Sequence, residues 1–289
     1  MKIVWLLCGA ITLSGVAAGS FQSSPNTRLG DCSKQLVAYQ DRKKIQNPAF
    51  SLDLASSNGG RLVYVGSRHS IDPTAPQFGE FEKAWNDFKP TMAFFEGGGH
   101  SVEATRDESI VKDAESGLVR FLAARDKVPA TSLEPKRQDE VDYLLTKFSA
   151  EQVKLFYVLR VIQEERVTYK RPEAELKARL ASVLDRFSKF KGLDAVVRNA
   201  GEFEAAYRRY WNSSGNWWEA PAAWFDPRSS SSQTGGVFTN EVNQESSSFR
   251  NLNMYTVLAK ATLEGKKVFA IVGRDHIPMQ EPALRCALK

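Results

Sequence analysis

Histidine is scarce in this 289-residue chain, with three copies, and cysteine is no commoner, also with three. Several signatures of well-defined chemistry are missing. There is no Gly-x-Ser-x-Gly elbow, no phosphate-cradling glycine loop, no His-Glu-x-x-His and no Cys-x-x-Cys. Serine-hydrolase, NTPase and zinc-finger readings therefore have no support. Beyond the N-terminus no stretch is long and apolar enough to read as a membrane span. The net charge of +5 is mild and is spread over helical segments as mixed Lys/Arg and Asp/Glu, so nucleic acid is not an expected partner. Hydrophobic content of 42% and charged content of 25% are ordinary for a soluble globular protein, and the length suffices for one large core or two small ones.

The chain opens "MKIVWLLCGAITLSGVAAGS". Lys2 supplies a short positive region, Ile3 to Leu13 an apolar run, and "GVAAGS" the small residues a signal peptidase prefers. The expectation is a signal peptide over residues 1–19, cut near Ala17 to Ser20, and a mature protein that is periplasmic or secreted. Cleavage removes Cys8 and leaves Cys32 and Cys286. An even pair in an exported chain suggests a disulfide joining the two ends of the mature protein.

The rest, 20–289, reads as a single α/β domain. Residues 20–50 show little periodicity and read as a leader into the fold. "RLVYVG" (61–66) is a buried strand, "FEKAWNDFK" (81–89) a helix and "TMAFFEGGG" (91–99) a second strand, together the length of a βαβ unit. A helical pattern covers 107–127, and "PATSLEP" (129–135) is a short strand-like piece. A mainly helical insertion spans about 138–226, with Ser149 and Gln152 in capping-box spacing and Pro172 at a helix start. Within it, 211–227 packs four tryptophans into a loop-like segment, read as a satellite core or a substrate wall. Asn212-Ser-Ser matches a glycosylation acceptor. A Ser-rich loop over 228–248 precedes a helix beginning near Arg250, and "KVFAIVG" (267–273) is the last strand. The fold class is therefore α/β, with a central sheet built from N- and C-terminal βα units around an inserted helical block.

Two strands end alike, in Gly66-Ser-Arg-His69 and Gly273-Arg-Asp-His276. Ligands in open α/β sheets bind at the carboxyl ends of the strands, and a glycine there permits unusual φ or close backbone approach. If the strands are neighbours, both imidazoles point into one crevice. Glu96 ends a third strand after Ala-Phe-Phe, where a carboxylate needs a cation, a metal or a histidine. Two imidazoles and a carboxylate match a catalytic zinc inventory and also suit manganese or cobalt. The same residues serve equally for metal-free activation of water by a histidine paired with Glu96. Arg250 is placed to hold an oxyanion or a substrate carboxylate. Glu134, in "SLEP", is a candidate for lining the site, as are Trp217 and Trp218 as a lid or wall, and His100 could reach inward. Asp72 and Asp275 are the candidates for orienting the imidazoles.

The paired Gly-x-x-His, Glu96, Arg250-Asn-x-x-Met254 and the "SLEP" segment resemble the TraB/GumN–Tiki group, over roughly 60–135 and 249–280. That group shares a superfamily with erythromycin esterase and the haem-binding ChaN-like proteins. The resemblance implies His69, Glu96 and His276 in one cleft, Arg250 nearby, and hydrolysis of amide or ester bonds in a peptide or small-molecule substrate. A divalent metal on His69, Glu96 and His276 follows from the Tiki branch, and haem binding without turnover from the ChaN-like branch. The group's first motif commonly reads Gly-Thr-x-His, whereas here Arg68 sets a charge beside His69.

Overall fold

The computed structural model describes residues 25–98, 101–212 and 215–289. The expected signal peptide, His100 and the two serines of the glycosylation acceptor lie outside them. Five strands form one sheet: β1 (Ser51–Ala55), β2 (Arg61–Ser67), β3 (Met92–Phe95), β4 (Ala130–Ser132) and β5 (Lys267–Gly273). Their order is β1-β2-β5-β3-β4, parallel except for β1. The C-terminal strand β5 thus sits between β2 and β3, with Ser67 opposite Gly273 and Phe95 opposite Ile271. The α/β reading holds, and the three strands expected to carry His69, Glu96 and His276 are adjacent.

Alternation along the strands builds two apolar faces. Leu62, Tyr64, Val268, Ala270 and Val272 face α1 (Pro25–Ser33), α9 (Thr239–Leu263) and α10 (His276–Leu288). Ala93, Phe95, Phe269 and Ile271 face α2 (Pro76–Phe88) and α3 (Arg106–Asp126). A separate core belongs to the inserted block, α4 (Arg137–Leu145), α5 (Ala150–Val167), α6 (Glu173–Ser188) and α7 (Ala200–Tyr210). The capping box of Ser149 and Gln152 opens α5 as its spacing implies. Lys154 is fully buried inside this block and is held by Ser188 Oγ and the carbonyls of Leu193 and Val196. Trp211, Trp217 and Trp224 are buried in this block too, so the aromatic segment is a satellite core.

Three expectations need correction, and one strand had none. From residue 25 on, the expected leader is part of the fold: α1 packs on α9 and α10, and a 3-10 turn at Tyr39–Lys44 follows it. The strand β1, which pairs antiparallel at the sheet edge, lacks a sequence signal that stands out from its polar surroundings. The Ser-rich loop is mostly helix: α8 (Ser231–Thr234) is followed by α9, which starts at Thr239 rather than near Arg250. The serines mislead because side-chain hydroxyls usually favour caps and turns. Here Ser246 instead meets Glu140, and Asn240 and Asn243 bond the carbonyls of Ala223, Asp226 and Phe225. Finally, α3 is not continuous: Asp113 and Ala114 leave helical geometry, Ala114 with φ +51°.

The pairing of Cys32 with Cys286 joins α1 to α10, with Cα atoms 5.6 Å apart. The two cysteines are 254 residues apart, so removing the bond releases much unfolded-state entropy. Cys32→Ala/Cys286→Ala is expected to lower the free energy of unfolding by about 2–4 kcal/mol. Urea denaturation of oxidised wild type and the double variant measures this, and equal midpoints would refute it.

Candidate active site

The close approach of two backbones brings the carboxyl ends of β2, β5 and β3 together. A β-carbon on Gly66 would lie 2.7 Å from Arg274 Cα and 2.9 Å from the Phe50 carbonyl oxygen. One on Gly273 would lie 3.0 Å from His69 Nε2 and 3.2 Å from Glu96 Oε2. Neither glycine has positive φ. Lack of a side chain, rather than an unusual φ, is what both turns require, and it lets His69 and Glu96 meet above β5.

These side chains line a cleft of about 680 Å³ together with Tyr39, Arg250 and His276. Glu96 is its anionic centre. Its Oε1 accepts from Arg250 Nη2 at 3.0 Å and lies 3.3 Å from His276 Nε2. Its Oε2 accepts from the Gly273 N–H at 2.6 Å. Burial opposes its charge, but His276, Arg250 and the Gly273 N–H hold its carboxyl far below the usual carboxylate range.

Arg250 lies in the middle of α9, not at a helix start. Glu134 grips it through Nε at 2.8 Å and Nη2 at 2.5 Å, and also accepts from the Gly97 N–H. Glu134 thus holds Arg250 and is absent from the cleft lining itself. Burial works against this guanidinium, yet the two carboxylates raise its pKa and keep it charged. Tyr39, from the segment read as a leader, lies 3.4 Å from His276 Nε2. Burial pushes its hydroxyl up to about 12 despite the charge of Arg250, so it is a neutral donor.

Neither imidazole is oriented by the neighbouring aspartate. Asp72 accepts from Thr74 instead, and Asp275 pairs with Arg42 at 3.1 Å. His276 Nδ1 meets Asn251 Oδ1 at 2.6 Å, an oxygen that also accepts from Gln280 Nε2. Nδ1 therefore carries a proton, and Nε2 faces Glu96 and Tyr39. His69 Nδ1 meets Glu115 Oε1 at 2.6 Å. Glu115 is 2% exposed, and its Oε2 has no hydrogen-bond partner among the described residues. Its hydrogen bond leads the effects that raise the His69 pKa. The His69 side chain is 67% exposed, so Nε2 is open to the cleft.

Sequence reasoning missed Glu115 because its aim depends on the break in α3. A β-carbon on Gly117 would lie 1.8 Å from the Ser109 carbonyl oxygen, so the two halves of the helix pass too closely for any side chain there. An Asp113–Arg120 bond spans the break. The glycine within a helical pattern is the one signal available beforehand. Asn251 was more accessible, since it adjoins Arg250.

Trp217 and Trp218 do not reach the cleft. Trp217 packs edge-on against Phe203 and bonds Glu204, and Trp218 lies under the Lys177 ammonium. Apart from its two imidazoles the cleft lining includes one ring, that of Tyr39, and no aliphatic side chain, a poor surface for a porphyrin. Among the described residues no three His, Cys, Asp or Glu side chains converge to hold a metal ion. Both Glu96 oxygens already accept N–H bonds, and a guanidinium lies beside one of them. As placed, His69, Glu96 and His276 do not fit a divalent ion without displacing these partners.

The two glycines separate site geometry from fold stability. Gly66→Ala forces backbone against backbone and is expected to destabilise by about 1–3 kcal/mol. Gly273→Ala presses only on the His69 and Glu96 side chains, so it is expected to lose ligand binding or activity with a smaller shift in Tm. Equal effects of the two substitutions on stability and activity would contradict this assignment.

Searched against protein families, curated proteins and solved structures, the chain matches none.

Proposed function

We propose that this protein is an exported hydrolase of ester or amide bonds that activates water with His69. The observation carrying this reading is the Glu115–His69 pair, a buried carboxylate on Nδ1 and an open Nε2 facing the cleft. A carboxylate in that position fixes the tautomer, turns Nε2 into an acceptor and stabilises the imidazolium that forms. His69 Nε2 takes a proton from water as the oxygen bonds to the substrate carbonyl carbon. The carbonyl oxygen gains charge near Arg250 and the Tyr39 hydroxyl. Collapse breaks the bond to the alcohol or amine, which receives the proton from His69.

Glu96, whose carboxyl is held ionised by Arg250, His276 and the Gly273 N–H, sets the positions of Arg250, His276 and the Gly273 turn. The N-terminal signal pattern and the Cys32–Cys286 bond support export. The resemblance of the paired Gly-x-x-His and Arg250-Asn-x-x-Met254 to TraB/GumN–Tiki proteins supports hydrolysis.

A panel of nitrophenyl esters and short peptide amides tests the activity. His69→Ala is expected to lower kcat/KM by about 10²–10⁴ while far-UV circular dichroism is retained. The base must be unprotonated, and Glu115 raises the His69 pKa. The rate should therefore climb with pH through a midpoint above the ordinary histidine value of about 6.5. Glu115→Gln removes the raising charge, so the midpoint moves to lower pH and the plateau falls. Full activity in His69→Ala would sink the proposal. Elemental analysis of wild type beside His69→Ala/His276→Ala tests the metal-dependent reading. Near-stoichiometric manganese, cobalt or zinc, lost in the variant, would replace water activation by His69 with a metal-assisted route.

A further inference from the structure

A second hollow, of about 560 Å³, adjoins the cleft across Arg250, where the helical block meets the Gly97–Gly98 turn. Its lining combines the rings of Tyr157, Phe187 and Phe190 with the guanidiniums of Arg137, Arg160, Arg186 and Arg250. Two of these cations are neutralised: Arg250 by Glu134 and Glu96, and Arg137 by Glu140 at 2.7 Å. Arg160 is not. It is part-buried on α5, and its one hydrogen bond among the described residues runs from Nη1 to Asn243 Oδ1 at 3.0 Å. Its guanidinium lies 5.8 Å from the Phe156 ring centroid, and among the described residues it makes no ion pair, although the charges of Glu140 and Glu164 act on it. Burial first, and then the charge of Arg250, pushes its pKa down from the ordinary arginine value. Arg186 also lacks an ion pair and lies over the Phe187 ring.

A guanidinium withdrawn from water without an anion is costly, and a position that served packing alone would be filled better by an apolar side chain. Two acids line the hollow. Glu134 is already taken by Arg250, and Glu164 is exposed and makes no ion pair among the described residues, acting on Arg160 only through its charge. Two guanidiniums, those of Arg160 and Arg186, are therefore left without an ion pair among the described residues, next to three rings.

We propose that this hollow binds an organic anion with an apolar body: Arg160, aided by Arg186, takes the oxyanion, and the rings of Tyr157, Phe187 and Phe190 take the body. The site is separate from the His69 chemistry and does not depend on hydrolysis. Arg250 lines both spaces, so an occupant of the hollow sits beside the guanidinium that Glu96 shares.

The test titrates the mature protein with anilinonaphthalene sulfonate, a fluorescent aromatic anion, and competes it with octanoate or with neutral octanamide at low ionic strength. Expected are saturable binding to wild type, displacement by octanoate and none by octanamide. Arg160→Met should weaken the probe at least about tenfold, the loss of one charge-assisted hydrogen bond. It should also raise the Tm of the unliganded protein, because methionine fills the space without a buried charge. Arg160→Lys should retain part of the affinity, and His69→Ala should bind as wild type does. Arg186→Gln, on a more exposed side chain, provides a second variant should Arg160→Met fail to fold. Equal probe binding by wild type and both arginine variants, displacement by octanamide as strong as by octanoate, or loss of binding in His69→Ala alone would each overturn the proposal.

Discussion

One buried charge organises this molecule. The guanidinium of Arg250 sits midway along α9, which packs its first half into the helical block, through Val242, and its second half onto the sheet, through Met254, Tyr255 and Leu258. A cation at that joint, largely out of water, is tolerable only with anions in contact. Glu134, just past β4, and Glu96, just past β3, supply them. Removing either acid leaves an under-compensated charge, a defect that typically costs about 3–5 kcal/mol when a buried pair is broken. The constraint therefore sets the distance between sheet edge and helical block. The cleft lies on one side of Arg250 and the arginine-lined hollow on the other.

Close backbone approach is the second constraint, and it acts on the imidazoles. Gly66 lets the β5 turn lie directly on β2, and Gly273 lets His69 and Glu96 come together over β5. Gly117 permits the break in α3 that turns Glu115 toward His69. None of the three is a flexible hinge in this role. Each removes a β-carbon from a place where two chain segments already touch. The result is a rigid first layer of side chains, each with a second partner behind it: Glu115 behind His69, Asn251 behind His276, Glu134 behind Arg250. Such support is what positions reacting groups to within fractions of an ångström.

Much of the architecture was legible beforehand because it rests on local patterns. Short apolar, β-branched and aromatic runs marked β2, β3 and β5, helical spacing and a capping box marked the inserted block, and cysteine parity marked the bridge between the ends of the chain. The placement of His69, Glu96 and His276 at three strand ends followed from the same patterns, because a side chain just past a parallel strand has one edge to reach. The polar first half of α9 was illegible for a physical reason. Its serines and asparagines are satisfied by bonds to remote carbonyls and to Glu140, partners that no local window contains. The Tyr39 segment was misread likewise, since α1 is held by contacts with α9 and α10 at the far end of the chain.

By itself, then, the sequence determined an α/β core, a helical insertion, a terminal cysteine pair and the identity of the residues gathered at the sheet edge. Hydrophobic period and residue chemistry are properties of short stretches, and short stretches are what a sequence displays. Tertiary structure decided which partner each of those residues would keep. It gave His69 to Glu115 rather than Asp72, and His276 to Asn251 rather than Asp275. It gave Arg250 to Glu134 and Glu96, and sent Trp217 into a satellite core. Those choices depend on strand order, on a break in one helix and on sites where a single β-carbon would collide, and all of these exist only once distant segments have packed.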